Sequence, residues 1–396
     1  ADCLPHPCRL ALQPMTSPRP IVCLSTQYWR ESPFRKHVFM RQLASRGHRI
    51  LYVEPSTSIL RGGVEPERGA NEYLGARLWM AEPGILVLSP PRLLPKPSVP
   101  LVSRLNSRRI ARLVRRACMT ADLSQPVLWV YWPWFADALD LMPHSHVVVD
   151  LVDDYTGYMT TDAARRHMQR CVVDLIRRAD RTIVTSPTLA DLYSFARPAV
   201  VPNGYDEALF HAGVVPHPSL QDMRHIVGFV GTLFDFVDYD LLLQLAASLP
   251  DVDLVLVGRR ETSSARVDEL LRQPNVHWYG PVAPKEVPAY IAGFDVSIAP
   301  FRPGAVADSV SPLKVYEYLA LRKPVICSRM KGLARDSIAK YVTFAPDCFG
   351  FIAAVKAALA GAADMPVGLA DVMRDCTWSG RFAQVAAYVG DEVLRV

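Results

Sequence analysis

Lys314 and Glu317 stand three residues apart in the segment SPLKVYEYLALRKPVICS (311–328), a spacing at which two charged groups can act together. Residues three apart are neighbours on one helix face. Ser311 can cap a helix and Pro312 suits its first turn, where free N–H groups and the helix dipole favour an anion. The pair is therefore either a ligand site or an exposed salt bridge that contributes only a few tenths of a kcal/mol, roughly.

Three aspartates follow an apolar run in VDLVDDY, namely Asp150, Asp153 and Asp154. Carboxylates at such a place are costly unless they are paired or open into a cleft. One of them could remove a proton from a hydroxyl group, and a neighbouring carboxylate could raise its pKa by repulsion. Helix capping by one or more of these aspartates is the alternative.

The segment GFVGT (228–232) follows another apolar run. Gly231 permits a backbone to approach a phosphate or a sugar closely, and Thr232 can donate a hydrogen bond. A glycine that merely allows a turn is the alternative interpretation.

Length and composition indicate a globular protein with two domains. The chain has 396 residues, of which 50% are hydrophobic and 21% are charged, with eight scattered cysteines and no C-x-x-C pair. These cysteines fit a reducing cytoplasm, and no apolar run approaches the ~18 residues that span a bilayer. The start lacks the apolar core of a signal peptide, so Met15 is a candidate natural start with residues 1–14 upstream of it.

Strands alternate with helices twice along the chain, which predicts two parallel sheets with right-handed crossovers. The strands are β-branched apolar runs, as expected where both faces of a sheet are covered. We predict an α/β fold of two Rossmann-like, doubly wound domains around a cleft, divided as residues 15–205, a linker at 206–224, residues 225–376 and a final helix at 377–396. The predicted strands are 21–26, 49–55, 85–90, 127–132, 147–154, 181–187, 199–204, 226–233, 252–258, 276–280, 296–301, 324–329 and 342–345.

These halves, with the SPLKVYEYLALRKPV segment in the second, resemble GT-B glycosyltransferases, and more narrowly the bacterial enzymes of capsule, teichuronic acid and exopolysaccharide synthesis. The resemblance covers most of residues 21–330 and implies a nucleotide-sugar donor bound mainly by the second domain. The matching stretches include VDLVDDYTGY, TSPTLADLY, VPNGYDEALF, VGFVGTLFDFVDYDLL and VHWYGPVAPKEVPAYIAGFDVSIAPF.

The resemblance implies a role for each residue of the donor site. Glu317 would accept hydrogen bonds from ribose hydroxyls, the diphosphate would lie at the helix start beside Lys314, and the HWYGPV segment (277–282) would read the base. Tyr279 in that segment is equally suited to the core. Ser309 stands where many retaining relatives carry a first glutamate that contacts the donor sugar, and the Arg and Lys that they carry after the first strand of the second domain are also absent from GTLFDFVDYD. The implied donor residues are Gly231, Thr232, Tyr279, Val282, Ser311, Pro312, Leu313, Lys314 and Glu317.

For catalysis, Asp154 aligns with the catalytic aspartate of the xanthan-type glucuronosyltransferase, so the resemblance implies Asp154 as base with Asp153 assisting it. We expect no metal and no cofactor. Arginine suits a carboxylate or phosphate of the acceptor, and aromatic rings stack on sugars. A plain loop with a buried Trp29 is the alternative. The implied acceptor residues are Tyr28, Trp29, Arg30, Arg35 and His37.

The segment LVSRLNSRRIARLVRRACM (101–119) is a basic amphipathic stretch. It lies in the first half of the chain, which carries the excess of basic residues that gives the net charge of +5. Six arginines in it suit an anionic membrane surface, although a solvated helix face is the alternative. No nucleic-acid module accompanies them, so nucleic acid is not an expected partner. We expect a cytoplasmic protein, peripheral on the inner face of the plasma membrane, with a glycan or lipid-diphosphate-linked acceptor.

The sequence thus predicts transfer of a sugar from a nucleotide-diphosphate donor to a glycan or lipid-linked acceptor in cell-surface polysaccharide synthesis. We expect the donor to be a UDP-sugar. One alternative is a UDP-sugar epimerase, which shares the two-domain architecture and needs no acceptor. The other is a non-catalytic nucleotide- or sugar-binding partner of a polysaccharide assembly, for which Asp154 would be dispensable.

Overall fold

The structure of the protein is a computed structural model that describes residues 17–31, 33–56, 75–94, 99–361 and 367–395. The candidate start at Met15 and the segment before it lie outside the described residues. Two sheets account for the architecture, one of eight strands and one of six.

The N-terminal sheet has the strand order β3-β4-β2-β1-β5-β6-β7-β8, and every neighbouring pair except β3–β4 is parallel. The residues of β1 and β5 are apolar and fully buried, because helices cover both faces of the sheet. Its strands are β1 (Ile21–Leu24), β2 (Ile50–Val53), β3 (Arg77–Glu82), β4 (Ile85–Ser89), β5 (Val127–Val130), β6 (His146–Leu151), β7 (Arg181–Val184) and β8 (Ala199–Val200). The helices with them are α1 (Arg35–Ser45), α2 (Pro100–Thr120), α3 (Asp162–Arg177) and α4 (Pro187–Leu192), with 3-10 turns at Pro133–Leu141 and Ser194–Ala196.

The C-terminal sheet is parallel throughout, with the order β11-β10-β9-β12-β13-β14. Its strands are β9 (Ile226–Val230), β10 (Asp253–Val257), β11 (Val276–Trp278), β12 (Val296–Ala299), β13 (Val325–Ser328) and β14 (Val342–Ala345). Its helices are α5 (Tyr239–Ser248), α6 (Ala265–Leu270), α7 (Val287–Ala292), α8 (Ala305–Ser309), α9 (Leu313–Ala320), α10 (Cys348–Leu359) and α11 (Leu369–Asp375). Shorter 3-10 turns lie at Pro218–Leu220, Leu333–Arg335 and Ala339–Tyr341.

The chain ends in α12 (Trp378–Val389) and α13 (Asp391–Leu394), which pack on the N-terminal domain. The ring of Phe39 in α1 lies 6.1 Å from Trp378 and 5.5 Å from Phe382, both with their edges turned to the partner ring. The last helices therefore complete one apolar face of the N-terminal sheet rather than a face of the domain that precedes them.

Each sheet has a topological switch point where the strand order reverses. In the N-terminal sheet β1 lies between β2 and β5, and in the C-terminal sheet β9 lies between β10 and β12. Ligands of doubly wound sheets bind in the crevice outside the carboxyl ends of such strands. The expected fold class is confirmed. The two crevices are the places where ligand-binding sites are expected in such a fold.

Candidate active site

Two glycines let a lysine approach the crevice of the C-terminal sheet. Gly231, directly after β9, has a φ of +140°, and a Cβ atom there would lie 2.5 Å from Lys314 Nζ. Gly258, after β10, has a φ of +141°, and a Cβ there would lie 2.2 Å from the carbonyl oxygen of Gly231. Thr232 is half-buried beside them. A side chain at either position would collide with these atoms, so only glycine permits the close packing. The backbone of the loop after β9 therefore lies directly against the Lys314 ammonium group.

Lys314 lies in the first turn of α9, over two aromatic rings. Its Nζ atom is 3.9 Å from the ring centre of Phe229 and 4.8 Å from that of Phe301. Burial lowers the pKa of Lys314 to about 7, and the charge of Glu317 acts in the opposite direction. No carboxylate of the described residues forms an ion pair with this ammonium, which therefore has its charge available for an anion.

Glu317 lies one turn further along α9 and is half-buried. Burial raises the pKa of its carboxyl group to about 7, while Lys314 opposes that rise. The two side chains form no ion pair with each other among the described residues. An exposed salt bridge, the alternative interpretation of the pair, does not fit two half-buried groups that are not in contact.

Ser311 ties the start of α9 to the segment that follows β8 at the end of the N-terminal domain. Its hydroxyl oxygen accepts a hydrogen bond from the Asn203 backbone N–H at 3.0 Å and lies 3.1 Å from the Tyr316 hydroxyl. The expectation that Ser311 caps the helix is wrong, because its hydroxyl is engaged there and the N-cap residue is Pro312. Leu313, the first helical residue, is half-buried.

Tyr279 and Val282 follow the edge strand β11 and pack against the core while remaining half-buried. The Tyr279 hydroxyl donates to the carbonyl oxygen of Ser219 at 3.2 Å, and its ring centre lies 5.1 Å from that of Tyr290. Part of the role of this tyrosine is thus packing, and contact with a base stays a prediction.

In the N-terminal domain, Arg35 and Asp150 form a buried ion pair, with 2% and 0% of their surfaces exposed. Arg35 Nε lies 2.9 and 3.1 Å from the two carboxylate oxygens of Asp150, and Nη1 donates to the carbonyl oxygens of Val201 and Pro202. The interpretation of Arg35 as an acceptor ligand is corrected, because its bonds run to β6 and to the end of the domain.

Removing one partner of this pair is expected to destabilise the protein strongly. Arg35→Met leaves Asp150 charged and buried without its partner, which costs about 3–5 kcal/mol of the free energy of unfolding. Urea denaturation measures the change. Arg165→Ala, which breaks the exposed Arg165–Asp162 pair, is the control and is expected to cost about 0.5 kcal/mol or less. Equal costs for the two variants would contradict the prediction.

The aromatic residues before α1 form a packed cluster. Trp29 lies 5.3 Å from His37 and 4.9 Å from Tyr52, measured between ring centres, and is 7% exposed. Burial lowers the pKa of His37 to about 4, and its Nε2 lies 2.9 Å from the Tyr28 carbonyl oxygen. The predicted role of His37 as an acceptor ligand is also wrong, because His37 is 0% exposed. Trp29 is buried, as the alternative interpretation of this loop predicts.

The other two acceptor candidates of this loop differ in exposure. Arg30 is exposed, with its guanidinium carbon 5.2 Å from the ring centre of Trp79. Tyr28 is buried, with 9% of its surface exposed, and its backbone carbonyl oxygen accepts a hydrogen bond from the Glu31 N–H at 3.2 Å. Acceptor contact by these two residues stays a prediction.

The remaining aspartates follow β6 at the cleft. The Asp154 carboxylate accepts hydrogen bonds from the N–H and the hydroxyl of Thr156, at 3.0 and 2.5 Å. Burial raises the pKa of Asp153 to about 6, Lys36 opposes the rise, and Asp154 adds to it. The following helix is capped by Thr161, so neither aspartate is its cap.

Lys36 was missed as a candidate, although it directly follows Arg35. It is 6% exposed, and its Nζ donates to Gln27 Oε1 at 3.3 Å. A lysine in the first turn after the switch-point strand β1 was the available signal.

The two domains touch beside the aspartates. A Cβ atom at Gly157 would lie 3.0 Å from Val306 of α8, and the Ser186 hydroxyl donates to the Ser309 carbonyl oxygen at 2.6 Å. Ser309, where the retaining relatives place a glutamate, is therefore part of the contact between domains. The turn that holds Asp154 faces the C-terminal domain across the cleft.

Over the part of the chain that the structure describes, no cluster of three or more His, Cys, Asp or Glu side chains is arranged to hold a metal ion. No helix among the described residues combines the length and apolar character required to cross a membrane.

The two facing Rossmann-like domains define a GT-B fold, and residues 224–361 match the family described as "Glycosyl transferases group 1". The class of the protein is thus that of glycosyltransferase enzymes. A similar curated protein is the putative teichuronic acid biosynthesis glycosyltransferase TuaH of Bacillus subtilis (strain 168). It is 28% identical over 284 residues, which cover 66% of this chain and 71% of TuaH.

Solved structures agree on the fold. Sucrose-phosphate synthase from Thermosynechococcus elongatus superimposes with a TM-score of 0.70 at 17% identity, over 93% of this chain and 97% of that one. The E. coli trehalose-6-phosphate protein, solved with UDP-2-fluoro glucose, gives a TM-score of 0.61 at 12% identity, over 92% and 94% of the two chains. At these identities the likeness concerns the fold alone.

Proposed function

We propose that the protein transfers a sugar from a UDP-sugar to a glycan or lipid-linked acceptor in cell-surface polysaccharide synthesis. The observation that carries the proposal is the meeting of Gly231 and Lys314 at the switch point of the C-terminal sheet, with Glu317 on the same helix. The similarity to TuaH supports the polysaccharide pathway, and the UDP-sugar bound to the E. coli neighbour supports the donor.

Each group of this site has a task that suits its chemistry. The Lys314 ammonium and the N–H groups at the start of α9 would bind the diphosphate and stabilise it as it departs. The Glu317 carboxylate would accept hydrogen bonds from the ribose. We propose an inverting displacement in which a carboxylate after β6, Asp154 in the sequence prediction, removes the proton from the acceptor hydroxyl.

Calorimetry with UDP, GDP and ADP tests the donor class directly. We expect wild-type protein to bind UDP, and Lys314→Ala to bind it about 10- to 100-fold more weakly, because a hydrogen bond to a charged group contributes about 1.5–3 kcal/mol. Absence of binding for all three nucleotides would overturn the proposed function.

We further propose that α2 rests on an anionic membrane surface where lipid-linked acceptors are found. Its apolar side is buried in the domain, and its other side carries exposed arginines together with exposed Leu101, Leu105 and Met119. Among the described residues only Arg104 of this group forms an ion pair, with Asp137 at 3.5 Å. The exposed arginines are Arg104, Arg108, Arg109, Arg112, Arg115 and Arg116.

Flotation with vesicles tests this surface. We expect wild-type protein to float with phosphatidylglycerol–phosphatidylcholine vesicles and not with pure phosphatidylcholine. Replacing Arg108, Arg112 and Arg115 by serine is expected to weaken binding about 100-fold, at about 1 kcal/mol for each arginine. Serine at the exposed arginines 224, 272 and 374 is the matched control. Equal losses in both triple variants would contradict a specific role for α2.

A further inference from the structure

The chain passes between the two domains twice, and the two passages lie side by side. The first passage follows β8 at residues 203–205, and the second leads from α11 into α12 at residues 376–378. The Tyr205 N–H donates to the Cys376 carbonyl oxygen at 3.0 Å, and the Trp378 N–H donates to the Tyr205 carbonyl oxygen at 2.9 Å. These six residues form what we call the double crossing.

The double crossing is closely packed around Asn203. A Cβ atom at the next residue, Gly204, would lie 2.8 Å from the Cys376 carbonyl oxygen, so no side chain fits between the two passages. The Nε atom of Arg381, a residue of α12 that is 4% exposed, donates to the Asn203 carbonyl oxygen at 3.1 Å. The backbone of Asn203 is therefore fixed relative to the N-terminal domain, on which α12 packs.

From this fixed backbone, Asn203 reaches the start of α9 in the C-terminal domain. Its Nδ2 donates to the Ser311 carbonyl oxygen at 2.8 Å, and its backbone N–H donates to the Ser311 hydroxyl oxygen at 3.0 Å. The two residues are 108 positions apart in the sequence. Two hydrogen bonds between the same pair of residues fix their relative orientation as well as their distance.

A chain of buried hydroxyl groups continues this contact into α9 itself. The Tyr316 hydroxyl donates to an Asp336 carboxylate oxygen at 2.8 Å, so the proton of the Ser311 hydroxyl is the one shared with Tyr316 Oη, 3.1 Å away. Ser311 is 8% exposed and Tyr316 is 0% exposed. A buried polar chain in which each hydroxyl has both a donor and an acceptor as partners rigidifies the elements that it joins.

The start of α9 is the part of the proposed donor site that meets the diphosphate. The backbone N–H groups of Leu313 and Lys314 donate to no described residue, as expected in the first turn of a helix. Their direction depends on where the helix begins, and the Ser311 peptide that Asn203 holds lies immediately before the N-cap residue Pro312. A shift of Ser311 would therefore turn these N–H groups and the Lys314 side chain.

We propose that Asn203 is a positioning residue for the donor diphosphate. It acts through Ser311, and it holds the N–H groups of Leu313 and Lys314 and the Lys314 ammonium group where they meet the phosphates. This inference rests on the proposed function. It adds a residue that lies outside the family match, which begins at residue 224, and outside the donor residues that the sequence predicts.

Two substitutions of Asn203 isolate this role. Asn203→Ala removes the side-chain hydrogen bond to Ser311 and keeps the backbone one. Asn203→Asp keeps the shape of the side chain, but it places a second acceptor against the Ser311 carbonyl oxygen and adds a negative charge beside the start of α9. Both variants keep every residue that is proposed to touch the nucleotide.

Asn275→Ala is the matched control for loss of a structural amide. The Nδ2 atom of Asn275 also donates to backbone carbonyl oxygens, three of them around the end of α5, at 3.0 to 3.1 Å. Asn275 directly precedes β11, at the opposite end of the parallel strands from the crevice. This variant is expected to lower the melting temperature and to leave nucleotide affinity unchanged.

Calorimetry with UDP, together with displacement of UDP by uridine, separates the phosphates from the nucleoside. Asn203→Ala is expected to weaken UDP binding about 3- to 10-fold, as the loss of one neutral hydrogen bond does. Asn203→Asp is expected to weaken it about 30-fold or more, because the new charge also repels the diphosphate. Uridine affinity is expected to stay within about twofold of wild type in both variants, since uridine carries no phosphate for the start of the helix to bind.

Equal losses for UDP and uridine would overturn the inference, because a general loosening of the domain affects the whole nucleotide. Wild-type UDP affinity in Asn203→Asp would overturn it as well. Melting temperatures show whether each variant is folded, and Asn203→Ala, the milder change, carries the test if Asn203→Asp is not. If the wild-type protein bound none of UDP, GDP and ADP, the proposed function would fail and this inference with it.

Discussion

Replacing Glu317 by alanine is expected to weaken UDP binding about 100-fold or more. The Glu317 carboxylate is half-buried on α9 and forms no ion pair with any described residue. A ligand that donates hydrogen bonds would therefore supply its partner. Two ribose hydroxyls would each donate a charge-assisted hydrogen bond, and such a bond contributes about 1.5–3 kcal/mol. Isothermal titration calorimetry with UDP measures the loss.

The matched control is Glu269→Ala, which removes an exposed carboxylate of the same domain. It is expected to leave UDP affinity within about twofold of wild type, because the Glu269 carboxylate pairs with Arg266 on the surface and is not part of the donor site. If Glu317→Ala bound UDP as wild type does, the donor site would have to lie elsewhere in the cleft.

The same titration has a pH dependence with a definite sign. Burial lowers the pKa of Lys314 to about 7 in the free protein, and a bound diphosphate would raise it again. Binding at pH 8 is therefore expected to take up protons, and affinity is expected to fall as the pH rises above 7. Calorimetry in buffers of different ionisation enthalpy measures this uptake, which Lys314→Ala should abolish.

Gly231→Ala is the second substitution expected to have a large effect. The φ of +140° disfavours any side chain, which costs about 1–3 kcal/mol of stability. The new Cβ atom would lie 2.5 Å from Lys314 Nζ, and the flexible lysine would move away from it. UDP affinity is thus expected to fall about 10- to 100-fold, as it does when the Lys314 charge is removed.

A double variant separates these two consequences. If Gly231→Ala acts through the displaced ammonium, Gly231→Ala/Lys314→Ala binds UDP no more weakly than Lys314→Ala alone. Gly361→Ala is the matched control for strain, because Gly361 has a φ of +77° with open space around it. It is expected to cost stability while UDP affinity stays unchanged. Additive losses in the double variant would contradict the role given to Lys314.

Much of the fold was predictable because local hydrophobic patterns in the sequence determine most of its strands and helices. Runs such as IVCL and VDLVLV are apolar and β-branched, and the alternation with helices implies parallel sheets. The strand β3 was missed, since its six residues are exposed or half-exposed and its stability comes from antiparallel pairing with β4. A strand that depends on its neighbour leaves little periodic signal in its own sequence.

The candidate site was predictable only in part. The spacing of Lys314 and Glu317 and the position of Gly231 after an apolar run singled out these residues. That a Cβ atom at Gly231 would clash with Lys314, 83 positions later, follows only from the folded structure. Arg35 and His37 were misinterpreted, because a charged or titratable side chain near a strand end gives no sign of whether its partner is a ligand or a buried group.

By itself, the sequence determined two parallel α/β domains, the helix that carries Lys314 and Glu317, and the carboxylates after the strand that ends at Leu151. These properties depend on hydrophobic periodicity and on near neighbours in the chain. Only the tertiary structure decided that Arg35 neutralises Asp150 and that Thr156 holds Asp154. Burial and pairing depend on residues distant in sequence, and they determine which charged group is structural and which remains available for chemistry.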